Sequence, residues 1–527
     1  MKVRLLWVPL SALLLVAAAA NPAGERWWRY VRDLADDKFE GRATATEGHR
    51  KAAEYVAAEF KRLGLKPAGD GGYFQKVPVR VRRARDAASS LMLVRSGIQE
   101  WLQLGEDAYF NLAVDPAANL LAPAAFVGYG LTVPELNYDD LAGIDLKGKI
   151  AVFLRGGPAS IPGPLRAHYQ SLAERWVFLR KAGAVGVASI LDPRSMDIPW
   201  ERQKLLRLEP SMSLADPRFE ETPGLQLSLT INPASADRLL AGTGHSMEEI
   251  LAAAQEGKPL PRFPLGYSIR AVAEVDRSEA ASENVVGVLT GRDPRLRAEY
   301  VVLSAHLDHL GTGAAINGDA VYNGALDNAA GIASLFEIAR QLRTSPPRRS
   351  VLFLAVTAEE KGLLGSKYFT ASPTVKAETI VADLNLDMFQ PLHNLRLLTV
   401  YGLNESSLGR DVRAVAKTLG VGVQADPEPD RNLFIRSDQY NFIRTGVPSL
   451  YFKFGFEKDS AEERIQKQWL GERYHAPSDD AAQPVNTAAA ARFNRLVAAL
   501  AARIANATQR PQWNSDSFFR RFARRTG

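Results

Sequence analysis

Three stretches of this chain, 300–305, 351–356 and 380–386, are apolar over most of their length and are followed by ionisable side chains. His306 follows the first, Glu359 and Glu360 lie just beyond the second, and Asp387 follows the third. Strands that are apolar on both faces are typical of a sheet buried between helices, since a sheet with one wet face alternates in polarity. Helical patterns at 328–342, 407–419 and 488–507 can cover such a sheet. The sequence therefore predicts an α/β fold with a central mixed, mostly parallel sheet flanked by helices.

The middle of the chain has a different pattern. Short β-type runs bounded by turn residues at 117–270 predict a separate, inserted β-rich module. A chain of 527 residues with 46% hydrophobic residues has room for two or three cores. The remaining parts are then an N-terminal part of the α/β domain at 21–116, its main part at 271–510, and a basic tail at 511–527. The tail carries much of the formal charge of +6, and we predict a solvated segment there rather than a nucleic-acid-binding patch.

Residues 1–20 have the layout of a secretory signal peptide, with Lys2 and Arg4 before an apolar run at 5–16 and small residues at 17–20. An uncleaved membrane anchor is the alternative, but the run is short for a bilayer span of about 20 residues and contains Pro9. We predict cleavage near Ala20, a periplasmic or extracellular location, and no stable membrane insertion afterwards. Because the chain has no cysteine, it folds without disulfides, and any metal ligand must be His, Asp or Glu.

Five residues of the second half have side chains of the kind that bind zinc: His306, Asp327, Glu360, Asp387 and His475. Each has an ordinary explanation on its own; Asp327, for example, stands where an N-cap is expected. Their joint occurrence predicts a metal site, because chemistry in α/β sheets collects beyond the carboxyl ends of the strands. His309 and His393 are predicted to be incidental.

Neighbours of these residues have predicted roles of their own. Side chains of adjacent residues diverge, so that Glu360 can bind metal while Glu359 reaches an attacking water. Asp308 lies two residues after His306 and is a candidate to hold the second ring nitrogen of that histidine. Tyr474, next to His475, is a candidate to donate a hydrogen bond to an oxyanion.

The order of these residues resembles that of the exported dizinc aminopeptidase family, which also contains glutamate carboxypeptidase and the transferrin receptor. The motifs are His306-x-Asp308, Asp327-Asn328, Glu359-Glu360, Asp387 and Tyr474-His475. The similarity extends to Phe39-Glu40-Gly41-Arg42 near the start and to Ser437-Asp438-Gln439 before the last ligand. Val127-Gly128-Tyr129-Gly130 and Leu146-Lys147-Gly148 in the inserted module resemble the protease-associated domain found in many members.

The resemblance implies a zinc-exopeptidase fold and a division of roles. His306 and Asp387 would hold one zinc ion, Glu360 and His475 a second, and Asp327 would bridge the two. Glu359 would be the general base for water activated between the ions, and Asp308 would orient His306. The resemblance also implies a cis peptide between Asp327 and Asn328. Where many relatives have His after the Ser-Asp pair this chain has Gln439, so the substrate contact made there is not carried over.

The implied activity is hydrolysis of N-terminal residues from peptides, and three alternatives stand beside it. A carboxypeptidase or dipeptidase would need basic residues that hold a substrate carboxylate, and Arg431 and Arg436 lie in a suitable region. A glutaminyl cyclase of the same fold is disfavoured by the inserted module. A non-catalytic, receptor-like protein would have lost ligands, whereas all five positions here are filled. The preferred N-terminal residue and the oligomeric state do not follow from the sequence.

Overall fold

The computed structural model describes residues 21–523. The predicted signal peptide at 1–20 and residues 524–527 lie outside the described residues. Two sheets, each with its own hydrophobic cores, organise the described part of the chain. Between residues 21 and 523, no helix combines the length and the hydropathy needed to cross a membrane.

The larger sheet has four parallel strands at its centre. In spatial order they are Ser350–Val356, Tyr300–His306, Ile380–Asn385 and Ser449–Phe454. The sheet is extended on one side by Val275–Leu289, Phe74–Ala84 and Ser211–Leu214, in that order, and Lys66–Pro67 pairs with Val275–Leu289. It is extended on the other side by Leu397–Tyr401 and Gly422–Gln424. The side extensions from Val275–Leu289 to Ser211–Leu214 are antiparallel. The predicted α/β class with a mixed sheet is confirmed, and the central strands are buried along nearly their whole length. The sheet is parallel at its centre but not mostly parallel overall, since five of its nine described strand pairs are antiparallel.

The register of the central strands brings their carboxyl ends to one edge of the sheet. His306 pairs with Val356, so the chain leaves both strands at the same level. Ser304 pairs with Asn385, which places Asp387 just beyond the same edge. The positions that follow the three apolar runs therefore converge in space.

Helices cover both faces of this sheet. Leu303 and Phe353 point to one face, where they share a core with Trp27, Phe336 and Leu496 from three helices. The helices of that face are Pro22–Leu34, Glu47–Arg62, Ala330–Thr344, Leu408–Thr418, Ala461–Glu472 and Thr487–Asn506. The opposite face is covered by Leu364–Ala371 and Gln439–Arg444, through Phe369 and Phe442. Because the strands are enclosed on both sides, their sequences are apolar without alternation.

The second sheet forms the core of the inserted module. Its strands in spatial order are Ile98–Leu102, Ser90–Arg95, Arg262–Val272, Asn119–Val127, Ile150–Leu154, Gly186–Ile190, Leu227–Ile231 and Ala108–Phe110. The helices of this region are Gly163–Gln170, Leu172–Lys181, Trp200–Gln203, Ala236–Leu240 and Met247–Gln255.

The boundary between the two sheets does not lie at residue 117, where the sequence predicted the start of the inserted module. The strands between 90 and 110 already belong to the second sheet, whereas Ser211–Leu214 inside the predicted module joins the larger one. Ile98 and Trp101 are exposed in the hairpin at 90–102, which obscures the alternation by which a half-buried strand is recognised.

The C-terminal segment is not the solvated tail that its charge predicted. Phe519 is fully buried and lies with its ring centroid 5.0 Å from that of Phe434. The indole of Trp513 donates to the carbonyl of Gly446 at 3.1 Å, and Arg521 pairs with Glu135 of the inserted module. Burial of these rings outweighs the solvation of the arginines between them, so the segment up to residue 523 packs against both modules.

Candidate metal centre

His306 ends its strand buried, with its imidazole aimed at two carboxylates. Its Nε2 lies 3.2 Å from Oδ1 of Asp327 and 3.3 Å from Oδ1 of Asp387. His475 repeats the arrangement, since its Nε2 lies 3.4 Å from Oδ2 of Asp327 and 3.2 Å from Oε2 of Glu360. Asp327 thus turns one carboxylate oxygen to each histidine. The structure brings together all five residues that the sequence singled out as ligands.

These separations fit bound zinc. Ligand atoms about 2.0 Å from a tetrahedral zinc ion lie about 3.3 Å from one another, which matches the distances around each histidine. Among residues 21–523, the ion pairs of Asp327, Glu360 and Asp387 are all with histidines, so no Lys or Arg neutralises these carboxylates directly. Carboxylates enclosed in this way need cations close by, and metal ions supply them.

The pKa values of the two histidines also reflect the excess of negative charge at this site. Burial alone would lower the pKa of His306, but the carboxylates of Glu359, Asp327 and Asp387 raise it well above its usual value. Burial likewise opposes ionisation of His475, yet Glu360 and Asp327 raise the pKa of that imidazole to about 10. Protons on these imidazoles would occupy the nitrogens through which a metal binds, so metal binding would release them.

Glu359 stands apart from the other carboxylates because it forms no ion pair with any residue of the described chain. One of its oxygens lies within 4.8 Å of ligand atoms of His306 and Asp387. Burial, reinforced by the nearby charges of Asp387 and Glu360, raises its pKa well above the usual value, against the opposing effect of His306. A carboxylate whose pKa is raised in this way is more basic than an ordinary glutamate, so it is suited to accept and hold a proton.

Asp308 supports the site in a different way from the one predicted. The backbone carbonyl of Asp308, and not its carboxylate, faces Nδ1 of His306 at 3.0 Å. The carboxylate accepts the backbone N–H groups of Glu359 and Glu360 at 3.0 and 3.3 Å and the hydroxyl of Thr44 at 3.0 Å. One residue therefore positions His306 through its main chain and the pair of glutamates through its side chain.

The loop that carries Asp327 is held by a residue that the sequence analysis missed. The carboxylate of Asp479 accepts the N–H of Leu326 at 2.9 Å and that of Asp327 at 3.0 Å. The peptide between Asp327 and Asn328 is cis, as the resemblance implied. Asp479 lies four residues after His475, so the same loop presents a histidine and fixes the aspartate opposite it; sequence spacing does not reveal such a long-range contact.

The N-terminal motif 39–42 also reaches the site. Arg42 is fully buried and donates to the carbonyls of Leu307 at 2.9 Å, Asn323 at 2.6 Å and Gly324 at 2.9 Å. It therefore ties the segment after His306 to the loop before Asp327. Gly41 has a φ of 65°, and a side chain there would meet the carbonyl of Tyr322 at 2.4 Å, which explains the glycine.

The prediction that His309 is incidental is wrong. Its Nδ1 lies 2.8 Å from Oε1 of Glu360 and 3.9 Å from Oδ2 of Asp327, and the residue is fully buried. His309 thus orients Glu360 and leaves its other oxygen facing His475. Its position three residues after His306, at the end of the same strand, was the available signal. His393 lies elsewhere, with its ring nitrogens near Asn394 and Gln466.

Tyr474 packs against the site without touching a ligand oxygen. Its ring lies 4.0 Å, centroid to centroid, from that of His475, and its hydroxyl accepts a long hydrogen bond of 3.4 Å from Arg436. The hydroxyl hydrogen takes no part in that bond, so the group can still donate.

A wall of charged residues faces the metal ligands across this cleft. Asp197, from the inserted module, binds Nε of Arg431 at 2.7 Å and also contacts Arg436. Lys453, from the strand Ser449–Phe454, lines the same cleft. Gln439 is not among the residues that line the cleft. Its amide nitrogen donates to the carbonyl of Phe434 at 2.8 Å, and its amide oxygen accepts from Asn385 at 2.9 Å.

Comparison with known proteins agrees with this geometry. Residues 284–501 match the model of peptidase family M28. The probable leucine aminopeptidase 2 of Aspergillus oryzae is 28% identical over 240 residues, which cover 43% of this chain and 46% of that protein. Aminopeptidase YwaD of Bacillus subtilis is 26% identical over 203 residues, 38% of this chain and 39% of that protein. The matched segments span less than half the length of these curated relatives.

A solved structure, the aminopeptidase from Aneurinibacillus sp. strain AM-1, shares the fold over 92% of this chain and 93% of its own, with a TM-score of 0.53 and 18% identity. The sheet edge of His, Asp and Glu residues is a candidate metal site, and the relatives named above are described as aminopeptidases. Residues 284–501, which match the model of peptidase family M28, contain all five residues of the candidate metal site, in agreement with the resemblance found in the sequence.

Proposed function

We propose that this chain is a zinc-dependent exopeptidase that removes N-terminal residues from peptides. The observation that carries the proposal is the pair of histidine–carboxylate sites joined by the two oxygens of Asp327. His306 and Asp387 would hold one zinc ion, Glu360 and His475 the other, and Asp327 both. His309 and Asp308 would act as positioning residues for Glu360 and His306.

Zinc bound at these residues would lower the pKa of a coordinated water and polarise a peptide carbonyl. Glu359, which forms no ion pair in the described chain, accepts the proton of the attacking water and passes it to the departing amine. Tyr474 donates its hydroxyl hydrogen to the oxygen of the attacked carbonyl. Each of these groups lines the same cleft, which gives the residues the required proximity.

The closure of the cleft on one side supports an exopeptidase. The inserted module closes that side through Asp197. A cleft that is walled at one end favours the end of a peptide chain over its middle. We infer that the module, which we assign to the protease-associated type, shapes the entrance, and that the chain is exported by its N-terminal signal.

The charged wall favours a second candidate, a carboxypeptidase or dipeptidase. Arg431, Arg436 and Lys453 all line the cleft, which is the placement that this alternative requires. The side chain of Arg431 is held by Asp197 and Glu428, so Arg436 and Lys453 are the better placed to meet a substrate carboxylate.

The test is hydrolysis of free and N-acetylated peptides by the purified protein, before and after chelation and after addition of zinc. We expect cleavage of free peptides from the N-terminus, loss of activity on chelation, and recovery with zinc. Cleavage of the N-acetylated peptides alone would overturn the aminopeptidase proposal and favour the second candidate. Full activity after complete removal of metal would overturn both.

A further inference from the structure

The wall opposite the metal ligands carries an excess of positive charge. Asp197 is shared by Arg431 and Arg436, and Arg431 is also bound by Glu428 at 2.7 Å. These two arginines and two carboxylates balance one another. Lys453 is the additional cation, and it is not part of that network.

Lys453 is nearly buried, with 6% of its surface exposed, yet it has no carboxylate partner. Its Nζ forms no hydrogen bond or ion pair with any residue between 21 and 523, and its nearest described partner is the ring of Tyr451, whose centroid is 5.6 Å away. Burial lowers the pKa of Lys453 to about 8, with Asp387 acting in the opposite sense, so the side chain is mainly charged at neutral pH. A buried ammonium group without an anion is costly unless a ligand supplies one.

The position of Lys453 determines which ligand can do so. It lines the cleft together with Glu359 and Asp387, so an anion bound to it lies next to the reacting bond. Asp387 and Glu360 form ion pairs with histidines, and Asp197 forms ion pairs with arginines. Of the described cations in this cleft, Lys453 is thus the one without a carboxylate partner, so its charge is left for the substrate.

We propose that Lys453 is a specificity-determining residue that binds a carboxylate of the substrate, assisted by Arg436, so that the enzyme prefers peptides with a carboxylate close to the scissile bond. This inference rests on the proposed peptidase function and names its substrate class. The carboxylate can come from the side chain of an N-terminal Asp or Glu, or from the C-terminus of a dipeptide. Both present the same chemistry to the ammonium group.

Two pairs of substrates separate these sources. The first pair is Glu-Ala-Ala amide and Gln-Ala-Ala amide, which differ in the charge of the N-terminal side chain. The second pair is Ala-Ala with a free or an amidated C-terminus. We expect the wild-type protein to prefer the carboxylate form in one pair by about 10-fold or more in kcat/KM, the range of a charge-assisted hydrogen bond. Lys453→Met should reduce that ratio at least fivefold, and Lys453→Arg should retain most of it.

Lys376→Met, at an exposed lysine of the α/β domain, is the matched control and should leave the ratio unchanged. A wild-type protein with no preference in either pair, or a Lys453→Met variant that keeps the wild-type ratio, would overturn the proposal. Zinc content and thermal unfolding show whether each variant folds, and Lys453→Gln replaces Lys453→Met if that variant does not.

A binding readout separates this inference from the proposed function. Glutarate carries the same carboxylate and should raise the Tm of the wild-type protein but not that of Lys453→Met or Lys453→Gln. If the zinc-loaded protein hydrolyses no peptide, the proposed function fails, and the glutarate shift still decides whether Lys453 binds a carboxylate. Equal shifts in wild type and variants would contradict the assignment.

Discussion

Glu359 and Glu360 are adjacent and chemically identical, and the structure gives them different surroundings. Glu360 lies between two imidazoles, with Nδ1 of His309 at 2.8 Å and Nε2 of His475 at 3.2 Å. Glu359 has no ion-pair partner in the described chain and lies beside His306 and Asp387. The backbone of both is fixed by the carboxylate of Asp308. These surroundings support the proposal that Glu360 is a metal ligand and that Glu359 is the proton carrier.

Replacement of each glutamate by glutamine should separate these two roles. Glu359→Gln should retain zinc and lower kcat by about 10²–10⁴-fold, since an amide cannot accept the proton of water. Glu360→Gln should lose zinc, because the amide is a poor ligand opposite His475. Metal analysis and kcat measured on the same preparations check both outcomes. A Glu359→Gln protein with near-full activity would show that another group is the base.

At the scale of elements, the sequence predicts what depends on local pattern. The strands Ser350–Val356 and Ile380–Asn385 lie within a residue or so of their predicted bounds because their apolar runs are continuous. The five ligands were found because each follows such a strand or begins a helix or loop. Asp197, Asp479 and His309 were missed, since what defines their roles is contact with Arg431, Asp327 and Glu360, and single-sequence pattern carries no information on such long-range contacts.

The loop that carries Asp327 gives a prediction at this scale. Asp479→Asn should weaken zinc binding by about 10–100-fold, the usual effect of losing a group that orients a ligand. The two N–H groups bind different oxygens of Asp479, and in asparagine one of these oxygens is replaced by an NH2 donor. Competition with a chelating dye measures the affinity. Asp480→Asn, which can still accept the N–H of Ala482, is the control and should bind zinc as the wild type does. Equal affinities of the two variants would contradict this role.

For the whole molecule, ion pairs between buried groups connect the inserted module to the α/β domain. Asp197 of the module is 7% exposed at its side chain and contacts two arginines of the domain. Burial alone would raise the pKa of Asp197, but Arg436 and Arg431 hold it well below its usual range. The C-terminal segment adds a second connection, through Arg521 and Glu135.

The coupling predicts how stability changes with pH. Asp197→Asn should lower the free energy of unfolding at pH 7 by about 2 kcal/mol, because two guanidinium groups lose their shared anion. Since the folded pKa of Asp197 is depressed, its contribution is present above the unfolded value near 4 and is lost as the pH falls below that value. The difference from the wild type should therefore shrink between about pH 4 and pH 2.

Denaturant unfolding followed by circular dichroism measures this difference. Asp216→Asn is the control, because Asp216 and Arg218 form an exposed pair whose loss should leave the free energy of unfolding almost unchanged. A constant difference between wild type and Asp197→Asn across this pH range would show that the Asp197 carboxylate does not connect the module to the domain.

The central claim, a site for two zinc ions built on the two oxygens of Asp327, is tested most directly by calorimetric titration of the chelated protein with zinc. We predict saturation at two zinc ions per chain, with peptidase activity returning in step, and a failure of Asp327→Ala to reach this stoichiometry. A wild-type chain that binds no zinc, or an Asp327→Ala chain that takes up two zinc ions as well as the wild type does, would contradict the account.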